Sequence, residues 1–148
     1  MMKNLTFSAK ISAPVKKVWD TMLAQDTYQK WTAAAWPGSM YVGAWQQGEN
    51  MRFVGANGSG TLAHLTIVEP HKHIKAIHNA ILLDGGAEDR DSEMAKNWVG
   101  SVEEYTFSEK NGVTELLVSM TIYPEWEKMF SNDWPKALAA LKDLCEEK

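Results

Sequence analysis

Apolar residues occupy every second position at the start of the chain, and the spacing then changes to a helical one. The alternation over Leu5–Ile11 predicts a half-buried first strand. Over Val15–Leu23 the apolar residues recur three and four positions apart, which predicts an amphipathic helix. We expect Ser12 to cap this helix and Pro14 to lie in its first turn.

A short second helix and a series of strands follow. The second helix is predicted over Asp26–Thr32 and is expected to carry Trp31 into the core. Beyond Pro37-Gly38 the pattern is one of short strands, with turns at Asn57-Gly58 and Asn111-Gly112, because Asn-Gly favours positive φ. This predicts an antiparallel meander. The expected strands are Met40–Trp45, Asn50–Val54, Thr61–Val68, Ile74–Ile81, Val102–Ser108 and Thr114–Tyr123.

Two longer segments complete the pattern. Asp84–Asn97 is predicted either as a solvated loop with one helical turn at Ser92–Asn97 or as a flap over a cavity mouth. A C-terminal helix is predicted over Asn132–Glu146, where apolar residues share one face. The preceding Pro124–Ser131 segment is either an extra turn of that helix or a lead-in to it.

These elements predict an α+β fold in a single domain over residues 1–148. A curved antiparallel sheet of six to seven strands would wrap around the long C-terminal helix, with two short helices after the first strand. One helix cannot fill the whole concave face of such a sheet. The remaining space would be an apolar cavity of the kind that binds small molecules.

Composition narrows the functional classes. The formal net charge is −4 and basic residues are scattered, which argues against a nucleic-acid partner or an anionic membrane surface. The N-terminus lacks a signal-peptide pattern, and no apolar run is long enough for membrane insertion. The single cysteine, Cys145, permits no internal disulfide, so a cytoplasmic location is expected. Seven Trp and eight Met fit either a bulky core or an adaptable cavity wall.

Several segments of the chain carry local motifs of a known superfamily, and the order of the elements agrees with it. These segments are residues 9–20, Trp31, residues 43–48, 51–53, 67–70, 103–107, 112–116 and 134–138. The chain is similar to the START-like, birch-pollen-allergen-like (SRPBCC) superfamily, and most of all to its branch related to the activator of the heat-shock protein 90 ATPase. This resemblance implies the helix-grip fold, and functions that range from lipid carriers through cyclases to chaperone activators.

No motif for nucleotide, metal or covalent chemistry is present. The sequence lacks a glycine-rich phosphate loop, His-Glu-x-x-His, Cys-x-x-Cys and Gly-x-Ser-x-Gly. We therefore expect no cofactor, no metal and no assigned catalytic residue. Cys145 is interpreted as a small hydrophobic residue of the last helix.

Three polar residues could reach the cavity. A symmetric turn at Pro70-His71-Lys72 would pair Val68 with Ile74, Thr66 with Ala76 and His64 with His78, with His78 facing inward. A slip of one residue would separate the two histidines. Glu103 shares its strand parity with Tyr105, so it points either into the cavity or into solvent at the start of the strand.

The favoured function is the binding of a small, largely apolar molecule in the cavity. One alternative is a cyclase- or lyase-type enzyme that uses the same polar groups. A second is a chaperone-linked module, which the expected single domain makes less suited to clamping a large partner. The chain is expected to be a monomer or weak homodimer. The predicted ligand-binding residues are His64, His78, Glu103, Trp45, Phe53, Tyr105, Met120, Trp126, Met129 and Trp134.

Overall fold

The computed structural model describes residues 2–147. Single 3₁₀ turns lie at Asp84–Gly86 and Pro124–Trp126. The helices and strands follow one another as β1 (Lys3–Ile11), α1 (Val15–Leu23), α2 (Gln25–Thr32), β2 (Met40–Val42), β3 (Asn50–Val54), β4 (Gly60–Glu69), β5 (His73–Leu82), β6 (Glu88–Asp89), α3 (Glu93–Trp98), β7 (Val102–Lys110), β8 (Val113–Ile122) and α4 (Glu127–Glu146).

One antiparallel sheet contains all the strands. Its order is β1-β8-β7-β5-β4-β3-β2, and the two-residue β6 pairs with the end of β5. Helix α4 contacts β1, α1 and α2, so it lies across the face of the sheet that the short helices also cover. The predicted α+β architecture, a curved antiparallel sheet with a long C-terminal helix, is confirmed. No helix within residues 2–147 has both the length and the apolar character needed to cross a bilayer.

The core forms where period-two strands meet the apolar stripe of α4. On β5, Ile74, His78 and Leu82 are buried, as are the alanines between them, whereas the intervening residues are only half-buried. On α4, Leu138 and Leu141 are buried on the inner face. The inward orientation predicted for alternate β5 residues is confirmed.

Helix α1 begins differently from the prediction. Pro14 is the residue that precedes the helix, and no side chain from its own segment caps it. Instead, the backbone N–H of Val15 donates to Glu109 Oε1 of β7 at 2.6 Å. The predicted cap by Ser12 is therefore wrong, and the backbone N–H of Ser12 donates to Glu146 of α4 at 2.8 Å. A tertiary contact replaces the local cap.

The end of the chain is more helical than expected. Helix α4 starts at Glu127, five residues before the predicted start at Asn132, and it continues through Pro135. Trp126, Phe130 and Trp134 are spaced four apart, so the apolar stripe already extends into this segment. The strand predicted to run to Trp45 ends instead at Val42, just before Gly43 adopts positive φ.

The connection between β5 and β7 is ordered for much of its length. The predicted helical turn is present as α3, and the Ser92 side chain accepts a hydrogen bond from the Ala95 N–H. Residues before α3 contact Arg52 of β3. The Arg52 guanidinium donates a hydrogen bond to the Gly86 carbonyl and forms an ion pair with Glu88 at 3.1 Å. These contacts give the segment more structure than a solvated loop would have.

Candidate functional site

A cavity of about 400 Å³ lies between the sheet and the N-terminal half of α4. The C-terminal half of α4 is closely packed, with Ala137 and Leu141 fully buried. Seven of the seventeen lining residues are Phe, Tyr or Trp, and α2 and α3 contribute to the wall. The lining residues are Tyr28, Trp31, Thr32, Trp36, Ser39, Met40, Phe53, Val54, Gly55, Gly60, Thr61, His78, Trp98, Glu103, Met129, Phe130 and Trp134.

Local sequence explains why α2 supplies much of this wall. Tyr28, Trp31 and Thr32 are three and four positions apart, so they share one face of the helix. The Trp31 Nε1–H donates to the Met22 carbonyl at 3.1 Å, and the Thr32 hydroxyl donates to the Tyr28 carbonyl at 2.6 Å. These hydrogen bonds hold the aromatic wall in place.

A cluster of three polar side chains lies at the sheet side of the cavity. His78 Nε2 is 3.3 Å from Glu103 Oε1, and the Tyr105 hydroxyl donates to Glu103 Oε2. His78 is 3% exposed, whereas the Glu103 side chain keeps 18% of its surface, which is consistent with its place in the cavity wall. Of the two orientations predicted for Glu103, the structure has the inward one.

The hydrogen bonds decide the charge of this cluster. Burial alone would raise the pKa of Glu103. The pKa nevertheless lies below its usual range, because His78 and Tyr105 donate hydrogen bonds to the carboxylate and a protonated His78 imidazole would add a favourable charge. Burial and the neighbouring carboxylate raise the pKa of Tyr105 well above its usual range. The cluster therefore contains an ionised carboxylate and a protonated phenol at neutral pH.

Several buried polar atoms in or beside the cavity wall bond to no other group within residues 2–147. They are His78 Nδ1 and the indole nitrogens of Trp45, Trp98 and Trp134. An unpaired buried donor or acceptor typically costs about 1–3 kcal/mol. Within the same residues, no group of three or more His, Cys, Asp or Glu side chains is arranged to hold a metal ion.

The predicted pairing of His64 with His78 is wrong. Val68 pairs with Ile74 as expected, but Thr66 is an extra residue on β4 and shifts the register by one. His64 consequently pairs with Ile77, and its Nδ1 lies 2.9 Å from Asn50 Oδ1. Because side chains alternate between faces, this shift separates the histidines, and His64 does not line the cavity.

The other predicted residues divide between the cavity and its surroundings. Phe53, Met129 and Trp134 line it together with His78 and Glu103. Trp45 lies behind Phe53, with a ring-centroid distance of 5.7 Å, and Tyr105 lies behind Glu103.

Two further predicted residues are also placed outside the main cavity. Met120 is 3% exposed, pairs with Glu103 in the sheet and is absent from the wall. Trp126 lines a neighbouring groove and contacts Trp98 with a centroid distance of 5.2 Å.

Sequence analysis did not select several residues that do line the cavity. The most prominent are Tyr28, Trp31, Trp36, Trp98 and Phe130. Helical spacing on α2 and α4 could have indicated Tyr28 and Phe130, which lie on the same faces as Trp31 and Trp134. No local signal indicated Trp36 or Trp98, because both come from connections whose position depends on the tertiary fold.

A groove of about 670 Å³ continues the cavity. Gly60, Thr61, Trp98, Met129 and Phe130 line both spaces. The connection between β5 and β7 contributes Asp84, Met94 and Trp98 to the groove. The connection between β5 and β7 therefore borders the combined space of the cavity and the groove. A flap over the cavity mouth is one of the two sequence predictions for Asp84–Asn97.

The fold and the sequence motifs agree with a known family. The family model described as "Activator of Hsp90 ATPase homolog 1-like protein" matches residues 12–146. The chain belongs to this family. The resemblance to this branch of the SRPBCC superfamily is thereby confirmed. No functionally curated protein matches the chain in sequence.

Several solved structures have the same fold at low sequence identity. The solution structure of the Aha1 dimer from Colwellia psychrerythraea is 20% identical, with a TM-score of 0.74 over 98% of this chain and 97% of that one. Protein Ms6760 from Mycobacterium smegmatis is 17% identical, with a TM-score of 0.71 over 100% and 97%. CalU16 from Micromonospora echinospora is 16% identical, with a TM-score of 0.65 over 98% and 77%.

Proposed function

We propose that this family member binds a small, largely apolar molecule in the cavity between the sheet, α2 and the N-terminal half of α4. The observation that carries the proposal is an aromatic-walled space of about 400 Å³ with one polar cluster on its sheet side. Small-molecule sites commonly enclose about 300–1,000 Å³ and combine an apolar wall with a few polar groups. The cavity has both properties.

The wall would stabilise a ligand by removing apolar surface from water. Burial of apolar surface contributes roughly 25 cal/mol for each Å². Trp31 and Trp134 are largely buried, with hydrogen bonds or ring contacts to neighbours, so binding would cost little further ordering of those rings. The polar cluster would orient the ligand.

Acid–base catalysis is a second candidate function, because His78 and Glu103 form a hydrogen-bonded pair in the cavity wall. A general base works best when its pKa is near the working pH. The lowered pKa of Glu103 makes it a weak base, and the raised pKa of Tyr105 keeps its proton in place. These shifts support binding over catalysis.

A substitution that fills the cavity tests the proposal. We expect the uncharged fluorescent probe N-phenyl-1-naphthylamine to bind the native protein and to change its Trp emission. Thr61 lines the cavity and the groove, so Thr61→Trp should weaken binding by at least about tenfold, or about 1.4 kcal/mol. Thr106→Trp makes the same change on an exposed position of β7 and should leave binding unchanged.

Equal affinity in the two variants would contradict the proposal. Probe binding that appears only after partial unfolding would contradict it as well. The circular dichroism of both variants should match that of the native protein, which separates loss of the cavity from loss of the fold.

A further inference from the structure

The cavity wall carries a negative charge and no positively charged side chain of the Lys or Arg type. Glu103 is the carboxylate in the wall, and no Lys or Arg of residues 2–147 lines the cavity. Arg52, on the neighbouring strand β3, is occupied by Glu88 and the Gly86 carbonyl. The carboxylate of Glu103 is therefore stabilised by its hydrogen bonds to His78 and Tyr105 and not by a Lys or Arg of the wall.

The two ring nitrogens of His78 have different surroundings. Its Nε2 faces Glu103, whereas its Nδ1 is buried and bonds to no group within residues 2–147. Through Nε2, His78 bonds to the carboxylate of Glu103, and no Lys or Arg side chain within residues 2–147 lines the cavity to neutralise that carboxylate.

Glu103 also retains capacity for another donor. A carboxylate has about four lone-pair sites, and His78 and Tyr105 use one on each oxygen. The exposed 18% of the Glu103 side chain leaves room for a ligand group to approach it. The free acceptor positions match an N–H or O–H donor, whereas a ligand carboxylate or phosphate would meet a like charge.

Aromatic rings lie next to both hydrogen-bond partners of this carboxylate, His78 and Tyr105. Trp98 and Phe53 flank His78, with ring-centroid distances of 4.7 and 6.5 Å. The ring centroids of Trp134 and Tyr105 are 6.1 Å apart. The faces of aromatic rings carry partial negative charge and attract cations within about 6 Å of the ring centroid. Phe53, Trp98 and Trp134 line the same cavity as Glu103, and a carboxylate combined with aromatic rings in one wall suits an organic ammonium group.

We propose that the ligand of this cavity is a cationic amine, protonated or quaternary, attached to an aromatic or other apolar body. The inference rests on the proposed function, since it names the chemical class of the molecule that the cavity would bind. The ammonium group pairs with Glu103 among Phe53, Trp98 and Trp134, and the apolar body occupies the remaining aromatic space towards α2 and α4.

Three probes of matched size separate charge from shape. They are (2-naphthylmethyl)trimethylammonium, its uncharged isostere 2-neopentylnaphthalene, and the anion 2-naphthylacetate. Equilibrium dialysis against the native protein measures each affinity without a reporter dye. We expect the cation to bind at least about tenfold more tightly than the uncharged isostere, and the anion to bind more weakly than both.

Two glutamine variants test whether Glu103 causes the preference for the cation. Glu103→Gln keeps the size of the side chain and removes its charge, so it should remove most of the preference for the cation while the uncharged isostere still binds. Glu104→Gln makes the same charge change one residue away, where the side chain faces His73 rather than the cavity. It should preserve the preference.

The possible outcomes distinguish this inference from the proposed function. If the uncharged isostere binds as tightly as the cation to the native protein, or more tightly, the inference is overturned and the proposed function stands. If none of the three probes binds, both fail. A preference for the cation that survives in Glu103→Gln would also overturn the assignment to this carboxylate.

Discussion

At the scale of single residues, Glu103 combines a place in the cavity wall with an ionised carboxyl group. Its neighbours on the strand show how this arises, because Tyr105 lies on the same face and Glu104 lies on the opposite one. Pairing with Ala76 in β5 brings Glu103 within reach of His78. The chemistry of the cavity thus depends on two adjacent strands in the correct register.

The lowered pKa of Glu103 predicts a pH dependence of stability. A carboxyl group whose folded-state pKa lies below its unfolded value of 4.5 stabilises the fold above that pH. This contribution is lost as the pH falls from 4.5 through the folded-state pKa, at about 1.4 kcal/mol for each unit by which the pKa is lowered. Urea unfolding across this range should show a smaller loss in Glu103→Gln than in the native protein.

Glu115→Gln provides the control, because Glu115 is exposed on β8 and makes no side-chain hydrogen bond within residues 2–147. It should follow the native pH dependence. An identical acid loss of stability in the native protein and Glu103→Gln would contradict the assignment of an ionised, hydrogen-bonded Glu103.

At the scale of elements, α1 depends on a strand far away in the sequence. The Val15 N–H at its first turn is satisfied by Glu109 of β7. Removing a side-chain acceptor from a helix N-terminus typically costs about 0.5–2 kcal/mol. The side chain of Ser12 makes no capping hydrogen bond, so its loss should have little effect.

We therefore expect Glu109→Ala to lower the free energy of unfolding by about 1 kcal/mol and Ser12→Ala to change it by less than about 0.5 kcal/mol. Chemical denaturation of the two variants measures both values. A larger loss in Ser12→Ala than in Glu109→Ala would show that the local cap operates after all.

At the scale of the whole molecule, some of the exposed large apolar side chains lie at the groove and others lie elsewhere on the surface. Leu83, Met94 and Met129 line the groove, whereas Val42, Val113 and Leu117 are separate from it. A stable contact between two proteins usually buries about 1,200–2,000 Å² in total. The groove residues form a smaller apolar surface that suits a small molecule.

The family name leads to a direct test: whether this chain activates the ATPase of a heat-shock protein 90. We expect this 148-residue chain, added in equal amount to a purified heat-shock protein 90, to leave ATP turnover close to its basal rate. A known activator added to the same chaperone serves as the positive control. A several-fold rise with this chain would make chaperone activation its main role in place of ligand binding.

The sequence by itself determined the identity of most elements and the faces that they bury. Period-two alternation predicted which β5 residues point inward, and helical spacing predicted the inner face of α4, because both depend on local geometry alone. The parity of Glu103 with Tyr105 was visible in the same way.

Only the tertiary structure decided the strand register and the partners of distant residues. The extra residue at Thr66 moved His64 away from His78, and nothing local distinguishes a bulge at that position from a regular pair. Glu109 replaced Ser12 at the start of α1, and Trp98 entered the cavity wall from a connection. These features arise from contacts between segments far apart in the chain, whose energies depend on how the whole sheet twists and packs.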